Sequence, residues 1–143
     1  MAQHPQPGHG DRIGYVILYV DDLDRSVAFY RDLLGLPFKF AQAGYAEFAT
    51  EGTRLALYER ARLPELIGRA AARGEPAMET VFLVPDVDAE AERLRQAGVE
   101  VLSGPIDRAW GHRTLHLLDP DAHVVELAQE IPRTGPRVRP DHD

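Results

Sequence analysis

His112, Thr114 and His116 stand at alternate positions of one short stretch. In an extended strand, residues two apart project to the same face, so two imidazoles and a hydroxyl share one side. Glu126 follows in a second stretch with strand-like spacing. Imidazole and carboxylate are donors for Zn, Ni, Mn or Fe. Two donor triads can be drawn: Glu79, His116 and Glu126, or His112, His116 and Glu126. The second has the make-up of a two-histidine, one-carboxylate site. A metal is not the only use for such groups. Two carboxylates within a few ångströms repel, one holds its proton, and either Glu79 or Glu126 can then act as a general base. A further set is aromatic: Tyr15, Tyr19, Tyr58 and Trp110, with Arg54 on the same strand-like stretch as Tyr58. Flat rings with polar tips bind planar or amphipathic molecules. The absence of cysteine excludes thiolate nucleophiles, disulfides and Cys-ligated zinc. The pairs Asp22/Asp24 and Asp86/Asp88 are explained by helix capping and carry no site.

The elements that must position these residues come from an internal repeat. Tyr15 to Asp24 lies over Glu79 to Asp88 at a constant offset, each copy an apolar run that meets an Asp-rich turn. The first run predicts a strand over 13–20. Asp22 or Asp24 caps the helix that follows, which carries Val27, Tyr30, Leu33 and Leu34 on one stripe and stops before Gly35. In the second copy Asp86 or Asp88 caps, Val87, Ala91 and Leu94 form the stripe, and Gly98 ends it. Three strands are expected after each helix: about 38–42, 45–50 and 54–59, then 100–103, 113–118 and 124–128. The segment 60–76 reads as a linker with a helix over 64–72. The expected fold class is α+β, with two tandem βαβββ modules.

The chain has 143 residues, enough for one domain with a sizeable core. Sixteen Lys and Arg against 23 Asp and Glu give a net charge of −7, a poor match to nucleic acid or an anionic membrane. No apolar run reaches membrane-spanning length. Residues 1–12 read as a disordered leader without a secretory apolar region, and 131–143 as a flexible tail. The expected compartment is the cytoplasm.

Two stretches carry a resemblance. Tyr15–Leu36, "YVILYVDDLDRSVAFYRDLLGL", resembles the opening module of vicinal-oxygen-chelate proteins, the glyoxalase / bleomycin-resistance / dioxygenase group. Trp110–Gln129, "WGHRTLHLLDPDAHVVELAQ", resembles their closing hairpin, where the family usually reads Asp-Pro-Asp-Gly. The resemblance implies one domain over 13–130, modules 13–59 and 78–130 joined by 60–77, whose sheet forms an open cup, often completed across a homodimer. Alternation then sends Val16, Leu18, Val20, Leu55, Leu57, Leu115 and Leu117 towards the helices. Tyr15, Tyr19, Arg54, Tyr58, His112, Thr114, His116 and Glu126 are left for the cup as ligand-binding residues, with Trp110 as a wall, and the repeat register adds Glu79.

Carrying the family's metal positions over gives Tyr15, Ala56, Glu79 and Glu126. Only Glu126 is the family's usual residue, and Ala56 cannot coordinate. The resemblance therefore implies a protein that binds a small organic molecule, in the manner of drug-sequestering relatives, with no cofactor. The alternatives are a divalent-metal enzyme (a glyoxalase-like lyase, thiol transferase or dioxygenase) holding its ion through Glu126, Glu79 and His116, or a metal-free isomerase with Glu79 or Glu126 as base.

Overall fold

The computed structural model describes residue 10 and residues 12–134. Most of the leader 1–12 and the tail from residue 135 lie outside the described residues. The chain divides into two compact units between Ala72 and Arg73, inside the segment read as a linker.

In the first unit, β1 (Tyr15–Val20) leads through a turn to α1 (Leu23–Ala28), then a π-helical turn over Phe29–Leu33. β2 (Phe38–Gln42), β3 (Tyr45–Phe48) and β4 (Arg54–Glu59) follow, then a 3-10 turn and the short helix α2 (Leu63–Ile67). The sheet order is β1-β4-β3-β2. β1 runs parallel to β4, and the other pairs are antiparallel.

The second unit repeats the plan. β5 (Glu79–Leu83), α3 (Val87–Gln96), β6 (Ser103–Arg108), β7 (His112–Leu118) and β8 (Val124–Glu130) give the order β5-β8-β7-β6. β5 is parallel to β8. The fold is thus α+β, with two four-stranded mixed sheets. Among the described residues, no helix is long and apolar enough to cross a membrane.

Local chemistry explains the helix ends. The Asp22 carboxylate accepts a hydrogen bond from the Arg25 amide at 3.1 Å, and Asp86 does the same for Ala89 at 3.1 Å. Each satisfies a first-turn N–H that has no intrahelical partner. Gly35 and Gly98 take left-handed backbone angles just past the helical segments.

Each unit buries one face of its sheet under its helix. α1 packs on β3 and β4, and α3 packs on β6, β7 and β8. The alternation predicted for β1 holds: Leu18 and Val20 are buried, whereas Tyr15 and Ile17 are exposed. Leu55 and Leu57, with Val27, Tyr30 and Phe48, complete the first core. Val87, Ala91, Leu94, Leu115, Leu117, Val125 and Leu127 make the second. Each of the larger side chains contributes about 1.5–3 kcal/mol of transfer free energy.

The structure moves the first strand's start to Tyr15 and the third strand's end to Phe48, and it corrects three further elements. The strand expected over 100–103 lies at Ser103–Arg108 instead. Gly104 is required there: at φ +102° its α-carbon sits so close to the Thr114 carbonyl that no Cβ would fit. The helix expected to run evenly to Leu34 widens into the π-helical turn, which still buries Tyr30 edge-on to Phe48 at 6.1 Å. The linker helix is five residues long, because Gly68 ends it in the left-handed region at φ +81°.

Candidate functional site

The sheet ladders put the chemistry in register. In the second unit His116 lies opposite Glu126 in the β7–β8 ladder, and Val81 lies opposite Glu126 in β5–β8. Glu79, two residues before Val81, therefore projects to the same face, away from α3. The turn 119–123 fixes this register. The Asp119 carboxylate accepts hydrogen bonds from the Asp121 and His123 amides and contacts the His123 ring at 2.7 Å. Asp121, also buried, pairs with Arg73 at 3.4 Å.

The result is a compact cluster. His116 Nε2 lies 3.1 Å from Glu79 Oε1 and 3.2 Å from Glu126 Oε1. One ligand atom from each residue falls within 4.8 Å of the other two. Glu126 is only 8% exposed, His116 is half-buried and Glu79 faces solvent. Burial, more than any other cause, raises the Glu126 carboxyl above the usual glutamate range. The hydrogen bond and the charge of Glu79 push it further up, and His116 opposes them. Two negative charges so placed repel, and a cation between them would relieve the repulsion.

These donors suit a divalent ion. One imidazole and two carboxylates are a donor set that Zn, Mn, Fe and Ni accept, and Glu79 at the solvent side leaves room for further ligands. The other triad considered from the sequence, with His112, is not brought together: among the described residues the clustered group is Glu79, His116 and Glu126. His112 lies opposite Arg108 and Glu130, at the far end of β7.

The remaining residues singled out from the sequence fall as follows. Thr114 is buried, and its hydroxyl accepts a hydrogen bond from Arg108 Nε at 3.0 Å. Trp110 sits on the β6–β7 turn, 57% exposed, with the Arg108 guanidinium 6.0 Å from its ring. Tyr15, Tyr19, Arg54 and Tyr58 belong to the first unit. There the β1–β4 ladder sets Tyr15 opposite Arg54 and Tyr19 opposite Tyr58. Ala56 is fully buried.

The first unit also holds a group that the sequence reading missed. Glu47 lies opposite Ala56 in β3–β4, as His116 lies opposite Glu126 in β7–β8. It is 5% exposed, accepts a hydrogen bond from Tyr45 Oη at 2.8 Å, and meets Lys39 Nζ at 3.3 Å. Those contacts hold its carboxyl below the usual range, the Tyr45 bond most of all. Burial, with the charge of Glu47, lifts the Tyr45 phenol to about 12. The signal was available: Ala46 and Phe48 are the apolar partners in Tyr45-Ala-Glu-Phe48, so Tyr45 and Glu47 must share the other face.

Two such sheets, with a buried glutamate within the last strand, fit a glyoxalase-like class. The sequence profile of the Glyoxalase/Bleomycin resistance protein/Dioxygenase superfamily matches residues 12–127, and the chain belongs to that superfamily. It is 34% identical over 117 residues to the uncharacterized protein YraH of Bacillus subtilis, covering 77% of this chain and 91% of that one. A glyoxalase/bleomycin resistance protein/dioxygenase from Nocardioides has a similar structure, with TM-score 0.71 and 26% identity over 96% of this chain and 93% of its own. The lactoylglutathione lyase of Agrobacterium tumefaciens has TM-score 0.69 and 26% identity, over 83% and 93% of the two chains.

Proposed function

We propose that the protein binds a small organic molecule at the open face of its second sheet, with a divalent cation held by Glu79, His116 and Glu126. The observation that carries this reading is the placement of His116 Nε2 within 3.2 Å of both carboxylates. Donor counting at the family's metal positions gave two carboxylates, a phenol and a methyl, too few for a tight site. His116, from outside those positions, supplies the third good donor. A bound ion would polarise an oxygen of the organic ligand, the chemistry of a glyoxalase-like lyase or a related transferase. The chain's own residues orient that ligand and set its protonation. His116 is fixed by the ladder, and Glu126 is kept from water.

A second reading rests on the raised Glu126 carboxyl. Without an ion, Glu79 or Glu126 serves as the base of an isomerase, or the pair simply lines a binding or sequestration site. Titration of chelator-stripped protein with Mn, Ni or Zn separates the two. One ion per chain is expected, with affinity lost in His116→Ala and Glu126→Gln. An unchanged affinity in those variants, or no uptake by the native protein, supports the metal-free reading instead.

The proposal extends to a homodimer. Among the described residues β1 and β5 are edge strands, and Ile13, Tyr15, Ile17, Val81 and Leu83 are exposed on or beside them. Open edges and exposed apolar groups call for cover. Sedimentation at tens of micromolar is expected to give twice the chain mass, and a monomer would refute it.

A further inference from the structure

The first unit places more positive charge around Glu47 than that carboxylate can use. Lys39 Nζ at 3.3 Å and Arg54 Nη1 at 3.9 Å both approach Oε2, while Tyr45 takes Oε1. Two cations thus face one carboxylate. The Arg54 contact is an ion pair too long for a hydrogen bond. Among the described residues the Arg54 guanidinium donates no hydrogen bond at all, although it carries five N–H donors in a planar fork. Its side chain is 37% exposed and that of Lys39 is 48% exposed, so both heads reach solvent while their stems are held by the sheet.

Rings flank these heads on the same side of the sheet. Phe40 lies opposite Glu47 in the β2–β3 ladder, its ring 5.8 Å from that of Tyr45 and 6.0 Å from Lys39 Nζ. Tyr15 lies opposite Arg54 and is among the exposed large hydrophobics, as is Phe40. A buried carboxylate at the centre of such a patch is poorly placed to meet a ligand. It is well placed to hold two cations side by side, which makes it a positioning residue for them. An unused guanidinium fork matches a carboxylate in bidentate geometry, and the neighbouring rings offer faces for stacking.

We infer that the open face of the first sheet is a recognition site for a planar organic anion, an aromatic carboxylate, held by Arg54 and Lys39 and flanked by Tyr15 and Phe40. The inference goes beyond the reading above, which concerns the second sheet: it names a site on the first sheet and a ligand class, and it does not need a cation at Glu79, His116 and Glu126.

The test uses full-length protein kept in chelator, with benzoate and its neutral analogue benzamide as probes. Calorimetry and the Nε–Hε signal of Arg54 in nitrogen-15 spectra are the readouts. Benzoate is expected to bind at least about tenfold more tightly than benzamide, a difference of one charge-assisted contact. It should shift the Arg54 signal, and its affinity should fall with added salt. Arg54→Gln and Lys39→Gln should each weaken benzoate several-fold and leave benzamide unchanged, and both side chains are exposed enough for the variants to fold. Glu79→Gln should leave benzoate affinity intact. Equal affinity for the two probes, no benzoate binding at tens of millimolar, or full benzoate affinity in both cation variants would overturn the inference. Because the ion is stripped throughout, such a failure leaves the Glu79 cluster untouched, and failed metal uptake leaves this site untouched.

Discussion

The two sheets offer the same three backbone positions and fill them with different side chains. Tyr15, Glu47 and Ala56 in the first occupy the ladder positions of Glu79, His116 and Glu126 in the second. In the first, one carboxylate faces two cations, and its proton is easily lost. In the second, two carboxylates face one imidazole, and the Glu126 carboxyl is raised above the usual glutamate range. A ladder position therefore fixes where a side chain points and leaves open what it does. The neighbours across the strand decide whether a buried carboxylate is quenched or left wanting a cation.

The largest effect that separates the sheets is on divalent cations. Glu126→Gln should lower Mn or Zn affinity by about a hundredfold or more, since a first donor is lost. Glu47→Gln should leave it unchanged, as read by calorimetry. A comparable loss in both would erase the distinction between the sheets.

Stability should answer in the reverse order. In the apo protein Glu47→Gln removes a well-paired carboxylate and strands Lys39 and Arg54, and its melting temperature should drop by several degrees. Glu126→Gln removes a repelled one and should melt at or above the native temperature.

The pH dependence sharpens this further. Glu126 has a raised carboxyl, so the folded apo chain binds more protons than the unfolded one above the ordinary glutamate value of 4.5. Its contribution is intact below that value and is lost as pH rises through the folded pKa. Glu47 is lowered from the same 4.5, so its contribution is present above it and is lost as pH falls through the folded pKa. Urea melts across this range should flatten on the alkaline side in Glu126→Gln and on the acid side in Glu47→Gln.

The smallest effects lie in the turns. Ala43 before β3 and Ala122 before β8 both hold positive φ, at 52° and 66°. Left-handed backbone is costly for alanine, and glycine relieves it at some loss of chain entropy. Ala43→Gly and Ala122→Gly should each raise unfolding free energy by about 0.5 kcal/mol, read from denaturant midpoints.

Much of this was legible in the residues. The repeat of Tyr15–Asp24 over Glu79–Asp88 predicted both modules, because apolar alternation and capping aspartates act locally. Alternation also sent His116 and Glu126 to one face. What it could not give was the azimuth of Glu79 at a strand start, which depends on the β5–β8 register. Glu47 escaped although Ala46 and Phe48 mark its face, because a four-residue strand shows that alternation at only two apolar positions. β6 escaped because Gly104 and Pro105 break a local pattern for the sake of a contact with β7.

Since Glu79, His116 and Glu126 all sit on strands of one sheet, the cluster has no loop of its own to loosen. The backbone positions that carry its donors can part only if β5, β7 and β8 part, and the amides paired between these strands should exchange with deuterium through opening of that sheet. A bound cation would then slow exchange along all three strands together, and leave β1, β3 and β4 exchanging at their former rates.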